Sequence, residues 1–358
     1  MPATMSSRDR VLTALANREP DRVPINYSAN PGIDARLKEH FGLKSDDYEG
    51  LMNALGVDFR GLWLPYTGPR LHPELPDRNV EPAWGIRTRY IQHGSGGYWD
   101  YCDFAARDAG LDEVETWPMP SPDDYDYSVI SGQCERHGDR FIAHCCMPDV
   151  INTTGMMRTM EQVLVDLMTD DEAGLRFIDR RLAIQLEMTR RTLEAGGGRI
   201  DALWLGEDLG TQHTPMMSME LFRKHIRTRH QPFVDVAKSF GIPVFMHSCG
   251  SSSWAYEDFI EMGINVVDTL QPEAKNMDPE YLKSHFGGRL AFHGCISTAG
   301  PVATGSVDDT IADCRRTLEI MKPGGGYCFS PTHCLQDNSP TENVVAMYET
   351  AGDHGRYS

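Results

Sequence analysis

His247 and Cys249 stand two residues apart in Phe245-Met246-His247-Ser248-Cys249-Gly250. An imidazole and a thiolate this close, just past an apolar strand, can both turn towards one ion. Together they suit zinc. A His-x-Cys pair alone is weak grounds for a metal, and what strengthens it is a supply of further thiols. Cys295 in His293-Gly294-Cys295 and Cys334 in Thr332-His333-Cys334 also fall at the ends of apolar stretches. Three ligands from two or three strand ends leave one position open, which distinguishes a catalytic zinc site from a closed structural one. The tight Cys-x-x-Cys pair of a zinc ribbon is not the pattern here.

Other polar residues fall at equivalent places along the chain. Glu207 and Asp208 are adjacent carboxylates with acid, base or ligand chemistry available to them. Neighbours on an extended chain point in opposite directions, so one of the two faces a common pocket. The same rule applies to His333 and Cys334. Asn26, Tyr27, Gln271 and His333 are the candidates for substrate contacts, and Glu207, Gln271, Glu273 or water for the open metal position. Met156, Met157, Met160, Met216, Met217 and Met219 would line an apolar pocket or, more commonly, fill a flexible core.

The elements that must carry these residues follow from hydrophobic pattern and breakers. Eight short apolar strands are expected: Arg22–Asn26, Val57–Trp63, Phe141–Cys146, Ala202–Gly206, Pro243–His247, Asn265–Leu270, Leu290–Cys295 and Gly326–Ser330. Helical spacing marks Met156–Met168, Ala173–Ala195, Met219–Phe240 after Ser218, and Asp308–Met321 after Ser306. Strand and helix alternating through short Gly/Pro joins imply an α/β fold with a parallel sheet. Eight such strands in about 350 residues fit a (β/α)8 TIM barrel, whose chemistry gathers at the C-terminal ends of the strands. A doubly wound sheet would want a glycine-rich phosphate turn after an early strand, and the chain has none. One region breaks the alternation. From about residue 65 to 127 the chain reads as an inserted excursion, with Ile86–Gln92 and Tyr98–Phe104 as hairpin strands. Its Trp84, Tyr90, Tyr98, Trp99 and Tyr101 read as an aromatic lid, a homodimer contact or the insert's own small core. A single domain over residues 1–358 is expected.

Composition removes several function classes. The 358 residues include 34 basic and 52 acidic side chains, a net charge of −18, so phosphate backbones and anionic membranes are poor partners. Apolar runs are far shorter than the roughly 20 residues a membrane span needs. The first 30 residues carry no basic-then-apolar secretion pattern, which makes the cytoplasm the expected location. Nine cysteines, an odd number, then read as free thiols or metal ligands rather than a disulfide framework.

Several motifs resemble the uroporphyrinogen decarboxylase superfamily. They are Asp21-Arg22-Val23-Pro24-Ile25 after a helix at Ser7–Asn17, the run Asp201–Gly210 (Asp-Ala-Leu-Trp-Leu-Gly-Glu-Asp-Leu-Gly), the His247–Gly250 segment, and Ser339-Pro340-Thr341-Glu342-Asn343. The likeness runs from about residue 7 to 351. It implies a (β/α)8 barrel with its active site at the C-terminal mouth, and a substrate or ligand role for Glu207 or Asp208. The superfamily's decarboxylases hold a tetrapyrrole's carboxylates through an arginine-bearing loop after the first strand. Here that loop, Asn26 to Asp34, has no arginine. The other branch, zinc-dependent corrinoid methyltransferases, is similar in a His-x-Cys pair and a distant late cysteine, matched by His247, Cys249 and Cys334. The resemblance therefore implies a zinc-dependent transfer of a methyl group between a corrinoid, carried by a partner protein or presented as substrate, and a small-molecule acceptor or donor such as a thiol. A decarboxylase-like lyase acting on another carboxylated substrate and a non-catalytic ligand-binding barrel are the alternatives. His333 instead of Cys334 as the late functional group would point away from the methyltransferase branch.

Overall fold

The computed structural model describes residues 5–93, 96–146 and 148–357. Ten strands appear among them. In chain order they are β1 (Phe59–Gly61), β2 (Asn79–Val80), β3 (Arg87–His93), β4 (Gly96–Tyr101), β5 (Phe141–Cys145), β6 (Ala202–Gly206), β7 (Val244–Ser248), β8 (Val266–Thr269), β9 (Ala291–Ile296) and β10 (Tyr327–Pro331). Seven of them form one curled parallel sheet in the order β1-β5-β6-β7-β8-β9-β10. Helices connect successive strands, the longest being Glu172–Ala195. Strands β2, β3 and β4 make a separate antiparallel sheet.

Residues 22–26, expected as the first strand, lie between the two edges of the parallel sheet without forming a regular ladder. Phe329 N–H donates to the Pro24 carbonyl, Asn26 N–H to the Phe329 carbonyl, and Asp58 N–H to the Ile25 carbonyl. Two departures explain the missing ladder. Pro24 has no N–H to give, and the Ile25 N–H donates to the Asp58 carboxylate at 2.9 Å instead of to a backbone carbonyl. That carboxylate is fully buried and also accepts from Ser7, Arg10 and Arg22, so it ties the N-terminal segment to the start of β1.

Two helices differ from their expected form, and in Met219–Phe240 the difference is a widening to π-helical turns over Phe222–Arg227. Met156–Met168 is divided into Asn152–Arg158 and Met160–Thr169. Thr159 sits between them at φ 72°, and its hydroxyl accepts from Gln162 N–H as the cap of the second helix. A buried ion pair from Arg158 to Asp166 at 2.8 Å spans the break. Val307–Met321 starts on a reciprocal cap made by Ser306 and Asp309. Trp84 packs against Ala106, Val114, Met157 and Phe177, whereas Tyr90, Tyr98, Trp99 and Tyr101 on β3 and β4 are exposed. Among the described residues no helix is long and apolar enough to cross a membrane.

Candidate metal centre

Alternation along the strands sorts side chains into layers inside the curl of the sheet. The lower layer is apolar, with Phe59, Phe141, Ala202, Phe245, Val266, Ala291 and Cys328 packed together over Val11. Two residues further along each strand, the same inward face carries Trp204, His247, Asp268 and His293. Register then sets their order, because His247 pairs with Asp268 across β7 and β8, and Asp268 with His293 across β8 and β9. Neighbouring strands run about 4.8 Å apart, so three titratable side chains stand shoulder to shoulder on an aromatic floor. The His293 ring meets Trp204 edge-on at 4.9 Å and Phe59 at 5.5 Å.

Asp208, His247 and Cys249 each offer a ligand atom, and these three atoms lie within 4.8 Å of one another. The His247 Nε2 is 3.5 Å from the Cys249 sulfur and 4.0 Å from Asp208 Oδ1. The other ring nitrogen, Nδ1, is 2.6 Å from Asp268 Oδ2. A carboxylate on one nitrogen and a cluster of donors at the other is the support that metal-binding histidines ordinarily have. Burial opposes a positive charge on His247, but hydrogen bonds to Asp268 and Cys249 outweigh it and hold its pKa well above the usual value. Burial raises the Cys249 thiol, with the His247 charge pulling the other way. Burial would also raise Asp268, yet His293 and His247 hold it below the usual carboxylate range.

The other expected site residues separate clearly. Asp208 enters the cluster and Glu207 does not. Glu207 is fully buried, accepting from the N–H groups of Val150 and Ile151 at 2.7 and 3.0 Å and pairing with His230 at 3.0 Å. Its oxygens hold a loop instead of facing the cluster. Asp208 also has structural work, accepting from Cys249 N–H and from the Asn152 amide, both at 2.8 Å. Gln271 accepts from Gly250 N–H at 2.6 Å and does not line the cavity beside the cluster. Glu273 is bonded to Ser297. Cys295 is buried in the apolar core. Asn26, Tyr27, His333 and Cys334 all line the cavity. Cys334 lies outside the group of three, with its sulfur 2.9 Å from the Ser28 hydroxyl. The His333 ring is 6.4 Å from that of His247, and burial followed by the His247 charge lowers its pKa. Asp268 and His293 escaped the sequence reading, although a charged residue inside Val266-Val267-Asp268-Thr269 was a visible signal.

The cavity measures about 310 Å³ and is bounded by Asn26, Trp204, His247, Asp268, His293 and Cys334 among others. The loops that carry Asp208 and Cys249 depend on two glycines. Gly250 has φ +70°, and a methyl group there would fall 2.1 Å from the Gly210 carbonyl oxygen; one on Gly210 would fall 2.4 Å from Ser251 N. The loop after β6 and the loop carrying Cys249 therefore cross backbone to backbone. Gly250→Ala is expected to cost about 2 kcal/mol or more of stability and to weaken metal retention, read by urea unfolding and metal content. A variant as stable as the parent would show that the two loops move apart freely.

Residues 150–354 match the family model described as uroporphyrinogen decarboxylase (URO-D). A solved structure described as a methyltransferase from Methanosarcina mazei is similar, with a TM-score of 0.64 at 17% identity, covering 98% of this chain and 99% of that one. At that identity the likeness concerns the fold. No curated protein matches the chain.

Proposed function

The chain belongs to the uroporphyrinogen decarboxylase (URO-D) family, and on that premise we propose a zinc-dependent methyltransferase that moves a methyl group between a corrinoid and a thiol or another small acceptor or donor. The reading takes residues 22–26 as the eighth member of a closed (β/α)8 barrel and residues 1–358 as one domain. The single observation that carries it is the group formed by Asp208, His247 and Cys249 at the C-terminal ends of β6 and β7. Cys334, beyond β10, lines the cavity that His247 also lines.

An imidazole nitrogen and two thiolate sulfurs fit zinc. His247 offers Nε2, Cys249 and Cys334 offer thiolates, and Asp208 holds the Cys249 backbone in place. When bound, zinc would supply a positive centre that brings a thiol's deprotonation towards neutral pH, where the thiolate is the nucleophile. The chain's own residues do the rest. Trp204, Phe59 and Tyr27 wall the cavity and exclude water from one side of the reacting sulfur. A volume of about 310 Å³ is at the small end for a ligand site. It admits a small acceptor or donor, and a corrinoid would be presented across the mouth by its carrier protein.

The test is turnover. With zinc-loaded protein and methylcobalamin, a panel of small thiols is expected to include one that demethylates the corrinoid, followed by its visible absorbance. That loss should disappear on chelation and return with zinc. Turnover that persists in metal-free protein, or carbon dioxide release from a carboxylated substrate without metal, would overturn the reading in favour of lyase chemistry.

A further inference from the structure

The reading of His247 as a metal ligand leaves open which of its nitrogens carries the proton, and the surrounding hydrogen bonds decide it. The decision starts at Tyr27 on the opposite wall. A backbone N–H can only donate, and Tyr27 N–H reaches Asn26 Oδ1 at 2.8 Å. The Asn26 amide is thereby oriented, with its NH2 group towards His293 Nε2 at 3.0 Å. An amide NH2 has only hydrogens to offer, so His293 Nε2 must be the bare nitrogen and the proton sits on Nδ1. His293 Nδ1 then donates to Asp268 Oδ1 at 2.5 Å. The second oxygen of Asp268 accepts from His247 Nδ1 at 2.6 Å. His247 Nε2 faces Asp208 and Cys249, and it is the nitrogen left bare once the ring gives up its second proton.

From this chain of contacts we infer that Asn26 and His293 are positioning residues, which act through Asp268 to keep His247 in the form whose Nε2 can take a metal. The direction originates in an obligatory backbone donor, Tyr27 N–H, and the Thr269 hydroxyl, 2.9 Å from His247 Nδ1, can accept from the same N–H that Asp268 does. Asp268 is almost fully buried, and its two oxygens rest on these two imidazoles. A buried carboxylate that loses one of its donors is strongly disfavoured. Without His293 it is free to turn, and His247 loses the partner that sets its ring. His293 touches neither Cys249 nor Asp208 in this arrangement; its effect on a metal is transmitted. Asn26, which the sequence suggested as a substrate contact, directs its amide hydrogens to His293.

The inference rests on the proposed metal site, and the experiment separates the two. Full-length protein labelled with 15N at histidine, free of metal and at a pH above the titration of His247, is expected to show both His247 and His293 as Nδ1–H tautomers in long-range proton–nitrogen spectra. Signals are assigned by their loss in His247→Gln and His293→Phe. The second variant keeps a ring against Trp204 and Phe59 while removing both nitrogens. In His293→Phe the His247 signals should shift, and zinc affinity, titrated with the metal alone, should fall by roughly 10–100-fold, the usual effect of losing a supporting partner. Asn26→Asp keeps the bond to Tyr27 but offers His293 an acceptor, so it should move His293 out of the Nδ1–H form. A merely space-filling His293 would lower the melting temperature without changing the His247 tautomer. An Nε2–H tautomer at either histidine of the parent protein overturns the inference, as do unchanged His247 spectra and zinc affinity in His293→Phe. If the parent takes up no zinc, the metal reading fails while the metal-free spectrum still decides the relay.

Discussion

His247→Ala and Cys249→Ala are each expected to purify without zinc, where the parent protein carries roughly one ion per chain. Removing a residue that only supports a ligand costs about 10–100-fold in metal affinity, and removing a ligand itself must cost more. Both side chains belong to the group whose donor atoms lie within 4.8 Å, and Cys249 is held there by its own backbone bond to Asp208. The loss should not be secondary to unfolding. The sheet encloses an apolar layer of Phe59, Phe141, Phe245 and their neighbours that owes nothing to a metal, unlike a zinc finger, whose fold depends on its ion. Chelated parent protein should therefore keep its far-ultraviolet circular dichroism, and so should both variants. Parent protein purified under reducing conditions that stays metal-free after incubation with zinc would sink the assignment. Collapse of the circular dichroism on chelation would make the site structural instead.

Much of this centre could be read in the residues because strand ends are legible. Seven of the expected strands recur within two residues at either end, from Phe59–Gly61 to Tyr327–Pro331, since apolar runs bounded by Gly and Pro have few alternatives. His247 and Cys249 followed directly from that. Asp268 and His293 did not, because their importance is a matter of register. Each is one polar residue inside an apolar strand, and only the pairing of β7 with β8 and β8 with β9 brings them to His247. Pairing is long-range information that local pattern does not contain. Glu207 and Asp208 show another limit. Alternation predicts that the two diverge, but not which one turns inward. The choice is made by the N–H groups of Val150 and Ile151 and by His230, all distant in sequence. The break at Thr159 was equally illegible, because the helical spacing of apolar residues runs on through it and the positive φ of Thr159 leaves no pattern in the sequence.

Cys334→Ser is expected to lose zinc and methyl transfer together, by at least 100-fold, whereas Asp208→Asn should keep most of the metal. Proximity alone argues the reverse, since Asp208 is in the group of three and Cys334 is outside it. Donor quality decides for the thiol. Both oxygens of Asp208 already accept hydrogen bonds, from Cys249 N–H and the Asn152 amide, so its electron pairs are partly engaged. Asparagine can keep the bond to Cys249 through its own oxygen and leave the loop in place. The Cys334 sulfur has the Ser28 hydroxyl at 2.9 Å and faces the same cavity as His247. Thiolate is also the better match for zinc beside an imidazole and a second thiolate. The neighbouring candidates serve as controls. Cys295→Ser should keep the metal because that thiol is buried in the apolar core and burial raises its pKa. His333→Ala should keep it too: both residues line the cavity, but the thiol is the better third donor beside an imidazole and a thiolate. Zinc measured by elemental analysis across the four variants checks the whole set. Retention in Cys334→Ser with loss in Asp208→Asn would make the carboxylate the third ligand, and loss in His333→Ala alone would move the chain away from methyl transfer.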